Sequence, residues 1–503
     1  MAIKGFTRRF KPLEILTEEQ LLEIHRATLD VLWETGIRLE HEKALRILAK
    51  NGCKVDFENS RVHFPPGLVE EALRKCPSTF RVKARDVKCD LVLGGNTTYF
   101  SPFPGMWTVD LDGFEPRVAT RKEFYDAVTV QDALETVSLL GSYTPYFGFE
   151  GAPPVMGMLE SCAAKMRNST KVQKEGYSHD CELFTIQMAQ AIGAEIILPC
   201  LPAPPMTYYH DAIECGLRAA EAGLPVKVGD GDVYGATAPA TIAGATVTNN
   251  AELIAPIVLL QLVKPGTRII ASAFTFPQNM RTGAPTFASI ESSLHTVVFN
   301  QMWRWYGVPI ANLGSGPGNA KQIDFQLGYE KAMSALLFAL SGGNYIGLHG
   351  GIFGELSHHP VQAILDNDVA GMIGHFLGGV EVSDDTLAVD LINEVGPIPG
   401  CYLYTEHTRK WWKKEQFMPK VADRLTYAEW KKTGRKSCLD YARERMEEIL
   451  VTHKPTPLTA RQEEDVEKIL EEARKYYKER ELISEEEMAT YRESMKSPNY
   501  PYG

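Results

Sequence analysis

This chain lacks paired cysteines. Its 503 residues include nine, an odd number, and the closest two are Cys76 and Cys89. With no Cys-x-x-Cys, zinc-finger spacing is excluded and the set reads as reduced thiols. Excess positive charge is missing too: the net charge is −11, and no Lys/Arg cluster is interleaved with aromatics, which argues against nucleic acid. The start, Met-Ala-Ile-Lys-Gly-Phe-Thr-Arg-Arg-Phe-Lys, is basic but has no apolar core of a signal peptide, so a cytoplasmic site is expected. Between Lys331 and Glu355 there is no Asp, Glu, Lys or Arg. Six glycines, Asn344 and His349 interrupt that run, which suits a buried helix-strand pair better than a membrane span.

With 44% hydrophobic residues the chain has ample core material, and it is unevenly distributed. Residues 201–400 hold 8 Lys/Arg and 17 Asp/Glu, whereas 401–503 hold 21 and 20, so the middle is core and the tail is solvated. In the tail, 459–480 predicts one long charged helix with Thr459 as N-cap and Gln462 completing a capping box; it serves as a solvated arm or a partner contact. Thr17 and Gln20 form another box, opening an amphipathic helix through about residue 35; a second helix follows at 40–50, and short strands occupy 80–110.

From about residue 136 short apolar strands alternate with helices. The strands fall at 137–140, 171–174, 196–199, 226–229, 268–272, 309–313 and 344–348, and helices follow at 155–167, 180–193, 207–222, 249–263, 286–306, 324–341 and 360–376. Seven such units predict an α/β fold, a TIM (β/α)8 barrel over 136–403, closed by an eighth unit near 398–403. An N-terminal α/β cap would occupy 1–135 and a helical C-terminal extension 404–503. A doubly wound open sheet is the competing architecture, but its Gly-x-Gly-x-x-Gly turn after the first strand is missing.

The run from Tyr345 to His359 is a strand that breaks into a glycine-rich loop with three histidines and Glu355. Loops after barrel strands form one face, so their contents can be pooled. They bring Tyr143, Tyr146, Phe147 and Phe149, then Tyr177, then Asp230 and Asp232, then Phe274 and Phe276, and finally His349, Phe353 and Glu355, with Tyr345 on the last strand. A mouth of rings and carboxylates suits a cation with no hydrogen to donate, at about 0.5–2 kcal/mol per favourable ring. A metal held by Glu355 and His359 is weighed against this; no His-Glu-x-x-His is present, Pro360 follows, and neighbouring side chains point apart, so no metal is assigned.

Several segments then resemble one family. Asn250-Ala-Glu-Leu-Ile-Ala-Pro-Ile-Val-Leu-Leu-Gln261 with Pro265-Gly266, Gly307-Val-Pro-Ile310 followed by Asp324 to Glu330, Ser341-Gly-Gly-Asn-Tyr345 through Gly351, and Glu406-His407-Thr408 leading to Asp423-Arg424 and Trp430 are similar to the trimethylamine methyltransferase family. The likeness spans roughly residues 15–450. It implies a barrel that moves a methyl group from a methylated amine to the cobalt of a separate corrinoid protein. The archaeal trimethylamine enzymes carry pyrrolysine near the segment matching Tyr345 to Gly351. This chain has only the standard twenty residues, which points to the branch acting on quaternary amines, glycine betaine first, then proline betaine or carnitine.

The chain has no Asp-x-His-x-x-Gly corrinoid motif, so no cofactor is expected to be tightly bound, and cobalamin must arrive on a partner docked at the mouth, with Asp230 and Asp232 at its rim. His349 and Glu355 are the catalytic candidates: His349 to meet a betaine carboxylate, with Arg167, Arg281 and Arg304 as rivals, and Glu355 to orient it. Tyr143, Tyr146, Phe149, Tyr177, Phe274, Phe276, Tyr345 and Phe353 are the substrate-binding candidates. Assembly of more than one copy is expected. The alternatives are a betaine-binding barrel without catalysis, or a metal-dependent lyase or hydrolase using His349, Glu355 and His359.

Overall fold

The computed structural model describes residues 5–229, 231–354 and 356–502. Among them eight parallel strands form one mixed α/β core: β1 (Thr97–Pro102), β2 (Leu139–Leu140), β3 (Val172–Lys174), β4 (Ile196–Cys200), β5 (Val226–Gly229), β6 (Ile269–Ala273), β7 (Ile310–Asn312) and β8 (Tyr345–His349). The sheet runs β1-β8-β7-β6-β5-β4-β3-β2, with Phe6–Thr7 added antiparallel to β1 as a ninth strand. It curls strongly. Phe100 of β1 forms a parallel bridge with Val137, and the Ser138 N–H donates to the Phe100 carbonyl at 2.9 Å.

Each strand read from the sequence between 137 and 348 is present, as are its helices. The strand expected near 398–403 is not; that stretch is turns and bends around Pro399 and Gly400. Thr97–Pro102, with β-branched and aromatic residues, takes the place beside β8, although the sequence reading assigned it to the cap.

Alternation along the strands sorts the layers. Ile196, Leu198, Val226, Val228, Ile269 and Ala271 face the helices, while Leu139, Val172, Ile197, Ile270, Ala311 and Tyr345 face inward. A hairpin, Thr79–Val82 with Leu91–Gly94, adds Phe80, Val82, Leu91 and Leu93 to that inner cluster. The hairpin sits where the strands begin, since the Glu195 N–H, just before β4, donates to Lys83 O. The charge-free run behaves as read: Ala335 and Phe338 pack with Ile346 and Leu348. One helix, Ile242–Val263, is long and apolar enough to cross a membrane, but it is mostly buried and carries the N-terminal helices on its surface.

Both capping boxes form: Thr17 with Gln20, and Thr459 with Gln462. The tail helix Ala460–Glu479 is not a free arm. It buries Val466, Leu470, Ala473 and Tyr477, and Glu463 and Glu467 hold the buried Arg167 at 2.7 and 3.1 Å.

One buried ion pair ties the last units together. Lys331 Nζ lies 2.8 Å from Asp366 Oδ2 and donates to Gly351 O at 2.7 Å, while the Gly350 N–H donates to the same carboxylate at 2.8 Å. Burial holds the Asp366 carboxyl above and the Lys331 ammonium below their usual ranges, so desolvation outweighs the mutual attraction. Asp366→Ala should therefore cost about 3–5 kcal/mol by stranding the ammonium, and the double change Lys331→Met with Asp366→Leu should recover most of it. Urea denaturation of the two variants beside the parent checks this; equal losses in the single and double variants would contradict it.

A candidate active site at the carboxyl end of the sheet

Above the inner apolar layer the strands change character. The next inward positions are Gly141, Lys174, Pro199, Ser272, Leu313 and Gly347, with Lys227 on β5. Small residues leave space there, and a cavity of about 420 Å³ opens at the strand ends, within the ~300–1,000 Å³ span of small-molecule sites. Its walls are the rings of Phe103, Tyr143, Phe147, Tyr177 and Phe274. Tyr143 and Phe147 meet edge to face at 4.4 Å, and Phe103 lies 5.5 Å from Phe274. Tyr143 is held at φ 57°, a strained conformation for a bulky residue and the kind retained where geometry matters. Gly176 leaves room for the ring, because a Cβ there would stand 2.9 Å from the Tyr143 hydroxyl.

Of the eight ring candidates, Tyr143, Tyr177 and Phe274 line this cavity. Phe276 stands behind Phe274 at 4.4 Å. Tyr345 belongs to the inner layer of the sheet. Tyr146 is buried with its hydroxyl donating to Thr108 Oγ1 at 3.1 Å, and Phe149 lies under the Arg121 guanidinium at 4.5 Å, so both are packing residues outside the cavity. Phe353 borders a second cleft and carries Lys321 Nζ 4.2 Å from its ring centre.

The three histidines hold loops. A register shift between Gly347 and His349 takes His349 out of the lining, to where its Nε2 meets Thr136 Oγ1 at 2.8 Å. That hydroxyl donates to Asn367 Oδ1, so His349 Nε2 carries the proton, and burial pushes its pKa down to about 3. His358 Nδ1 donates to Phe103 O at 2.7 Å and its Nε2 accepts from Gln131 at 3.2 Å, fixing the backbone that carries the Phe103 ring. His359 caps helix Pro360–Leu377 by accepting the Val361 N–H.

Glu355 and Asp230 lie outside the described residues. Asp232, expected at the rim, is fully buried beside Glu252 of helix Ile242–Val263. Arg167 is consumed by the tail, Arg304 pairs with Glu14 at 3.1 Å, and Arg281 sits on an exposed turn.

Two lysines are what the sequence reading missed. Lys174 and Lys227 line the cavity from within the strands, whereas only the loops beyond the strands were pooled. The signal was there: a lysine inside Val226-Lys227-Val228 must be buried on a parallel strand covered on both faces. Phe103 was missed because its strand was read as cap.

Among the described residues one trio has metal-ligand spacing, His41, His210 and Glu214. His41 Nδ1 accepts the Ala44 N–H, so its Nε2 carries a proton toward Glu214 at 2.9 Å, and the two imidazoles stack at 4.6 Å and 13°. Parallel rings cannot aim both lone pairs at one ion, so the trio is a His41–Glu214 hydrogen bond with His210 stacked on His41.

The family model described as trimethylamine methyltransferase (MTTB) matches residues 1–172 and 183–476. A glycine betaine methyltransferase of Desulfitobacterium hafniense is 31% identical over 458 residues, 88% of this chain and 94% of that protein. A trimethylamine methyltransferase MttB of the same species is 29% identical, over 92% and 94% of the two chains, and one of Methanosarcina barkeri is 29% identical over 93% and 96%. Among solved structures, an L-hydantoinase from Arthrobacter aurescens covers 50% of this chain and 58% of its own at a TM-score of 0.26 and 12% identity, an overlap too slight to bear on the fold.

Burial raises the Asp232 carboxyl to about 7 and holds Glu252 well above the carboxylate range, so the two are neutral together at moderate pH. A folded pKa above the unfolded value of about 3.9 gives stability that is full below pH ~4 and lost as pH rises through about 7. Asp232→Asn should therefore melt several degrees above the parent at pH 8 and close to it at pH 5. The same difference at both values would refute the neutral pair.

Proposed function

Because this chain belongs to the trimethylamine methyltransferase family, we propose that it moves a methyl group from a quaternary amine, glycine betaine first, to the Co(I) of a separate corrinoid protein. The observation that carries this reading is the ring-walled cavity at the strand ends, which offers π faces to a methylated ammonium. We take the curled sheet to be a closed (β/α)8 barrel, a reading supported by the Phe100–Val137 bridge, with this cavity at its mouth.

In the proposed step the N–CH3 bond breaks with its electron pair left on nitrogen, so the amine departs neutral and no acid is needed at that atom. The corrinoid supplies the electron pair of the new cobalt–carbon bond. The residues of this chain hold the cation in line and exclude water, a proximity effect of up to ~7–11 kcal/mol when geometry is ideal. Rings orient the cation more than they lower the barrier, because positive charge leaves nitrogen as the bond breaks.

The binding-only barrel remains the second reading and differs by one observation, cobalt methylation. The metal-dependent reading is disfavoured, since His349 faces Thr136 and His359 caps a helix. A panel of glycine betaine, proline betaine, carnitine and trimethylamine, mixed with reduced corrinoid protein, tests substrate and acceptor together through cobalt absorbance. A betaine should react while trimethylamine does not, and free cob(I)alamin should be a poor acceptor. Comparable turnover of trimethylamine would sink the substrate assignment, and efficient turnover with free cobalamin alone would remove the partner.

We also expect more than one copy per assembly, in the cytoplasm. An arm over 380–404 leaves the described chain with Val380 86%, Ile398 96% and Tyr404 90% exposed. Leu377 O, just before it, accepts the Arg9 N–H, and Arg8 N–H donates to Asn96 O where β1 starts, so the arm emerges opposite the mouth. Its exposed apolar side chains lie away from the mouth, suiting a second copy rather than the methyl acceptor. Light scattering should give a multiple of 56.0 kDa, and Ile398→Asp with Tyr404→Asp should lower it.

A further inference from the structure

The loop after β7 reads Gly314-Ser-Gly-Pro-Gly318, a composition that elsewhere cradles an anion in an open turn. Here the space beside two of its glycines is already filled. A Cβ on Gly316 would stand 2.3 Å from Phe103 Cγ, and one on Gly318 would stand 2.5 Å from Leu327 Cδ1. The glycine loop after β8 borders the same ring, since a Cβ on Gly351 would stand 3.1 Å from Phe103 Cδ1 and 2.6 Å from Gly316 O. Ser315 Oγ donates to Gly347 O at 2.8 Å and ties the two loops together, so their glycines form a slot for one phenylalanine.

The backbone of Phe103 is equally confined. It lies between Pro102 and Pro104, its N–H donates to His349 O at 2.9 Å, and its carbonyl accepts from His358 Nδ1 at 2.7 Å. Locking of this kind is what a binding group needs to keep its geometry. Phe274 is the second ring: its centroid lies 5.5 Å from that of Phe103, and Phe276 backs it at 4.4 Å and in turn meets Phe287 at 4.7 Å. Both rings line the cavity. A methylammonium within ~6 Å of one centroid can lie within that reach of the other, so both attractions act on one charge. Tyr143 and Phe147, at 84° to each other, set the edge of one ring on the face of the other instead.

Resting on the reading of this cavity as a quaternary-amine site, we propose that Phe103 and Phe274 are the residues that select for positive charge in the substrate, and that Gly316 is the positioning residue that lets the Phe103 ring stand where it does. The remaining rings close the wall and exclude water without telling a cation from a neutral group of the same shape. No bond is made or broken at these residues. The glycine loop after β7 is on this account a support for a ring and not a cradle for phosphate.

Calorimetric titration of the full chain tests this without any corrinoid. The probes are glycine betaine and 3,3-dimethylbutanoate, which share shape and acid but differ in having a charged nitrogen or a neutral carbon at the branch. The parent should bind glycine betaine more tightly. Phe103→Leu and Phe274→Leu should each narrow that preference by roughly twofold to thirtyfold, the range of one favourable ring, through weaker betaine binding. Gly316→Ala should narrow it as Phe103→Leu does, because the added methyl displaces the ring, while Phe147→Leu should weaken both probes alike. Melting curves confirm folding, and if Gly316→Ala does not fold, the two Phe→Leu variants decide the proposal by themselves.

No preference in the parent overturns the proposal, as does a parallel loss or no loss for the two probes in Phe103→Leu and Phe274→Leu, or an equal narrowing in Phe147→Leu. The failures separate: a ring-dependent preference for glycine betaine with no methylation of cobalt upholds the pair and removes the methyl-transfer reading. Cobalt methylation from glycine betaine, with a KM and a binding preference that both Phe→Leu variants leave intact, removes the pair and leaves that reading standing.

Discussion

The ammonium of Lys331 is the point from which the upper end of this molecule takes its shape. It reaches from helix Phe325–Ser341 into a loop of glycines that has no side chains with which to hold itself, and it binds Gly351 O there while Asp366 receives the Gly350 N–H. Gly350 must be glycine, since its φ is 90° and a Cβ would stand 2.0 Å from the His358 ring. With that turn fixed, His349 O accepts the Phe103 N–H, His358 fastens Phe103 O, and Gly318 and Gly354 join the loops after β7 and β8. The cavity wall thus inherits its position from an ion pair outside it. Such a pair adds little net stability, and its value lies in specifying one arrangement of an otherwise soft loop.

The tail works by the same logic at the opposite side of the sheet. Arg167 and Arg474 are buried cations that the core alone does not neutralise, and Glu467 meets both, at 3.1 and 2.8 Å, with Glu463 completing the set on Arg167. Tyr491 donates to the buried Glu160, which also accepts from Arg121 at 3.2 Å. The C-terminal helices are therefore part of the charge balance of the helical layer, although their composition alone reads as solvated.

What could be read from sequence follows from what is local. Strand and helix alternation, the two capping boxes and the charge-free core segment depend on short-range periodicity, and the order of elements from 137 to 376 agrees with the structure, with helix ends differing by up to seven residues. The place of the first strand in the sheet was not legible, because Thr97–Pro102 is separated from its partner Tyr345–His349 by nearly half of the chain and nothing local marks that pairing. The site was half legible. Loop aromatics such as Tyr143, Tyr177 and Phe274 announce themselves, but a one-residue register shift turned His349 away, and period-two alternation brought Lys174 and Lys227 in. Facing is decided by register, which a single sequence does not display.

The hairpin of Phe80, Val82, Leu91 and Leu93 plugs the end of the sheet where the strands begin, and its effect reaches the kinetics. If the curled sheet closes into a barrel, a chamber stoppered at that end opens at the strand ends. If the methyl acceptor must cover that opening, the amine has to enter before it arrives and the demethylated product has to wait until it leaves. Turnover then follows a compulsory order, and saturating acceptor would slow it by trapping the empty chamber shut.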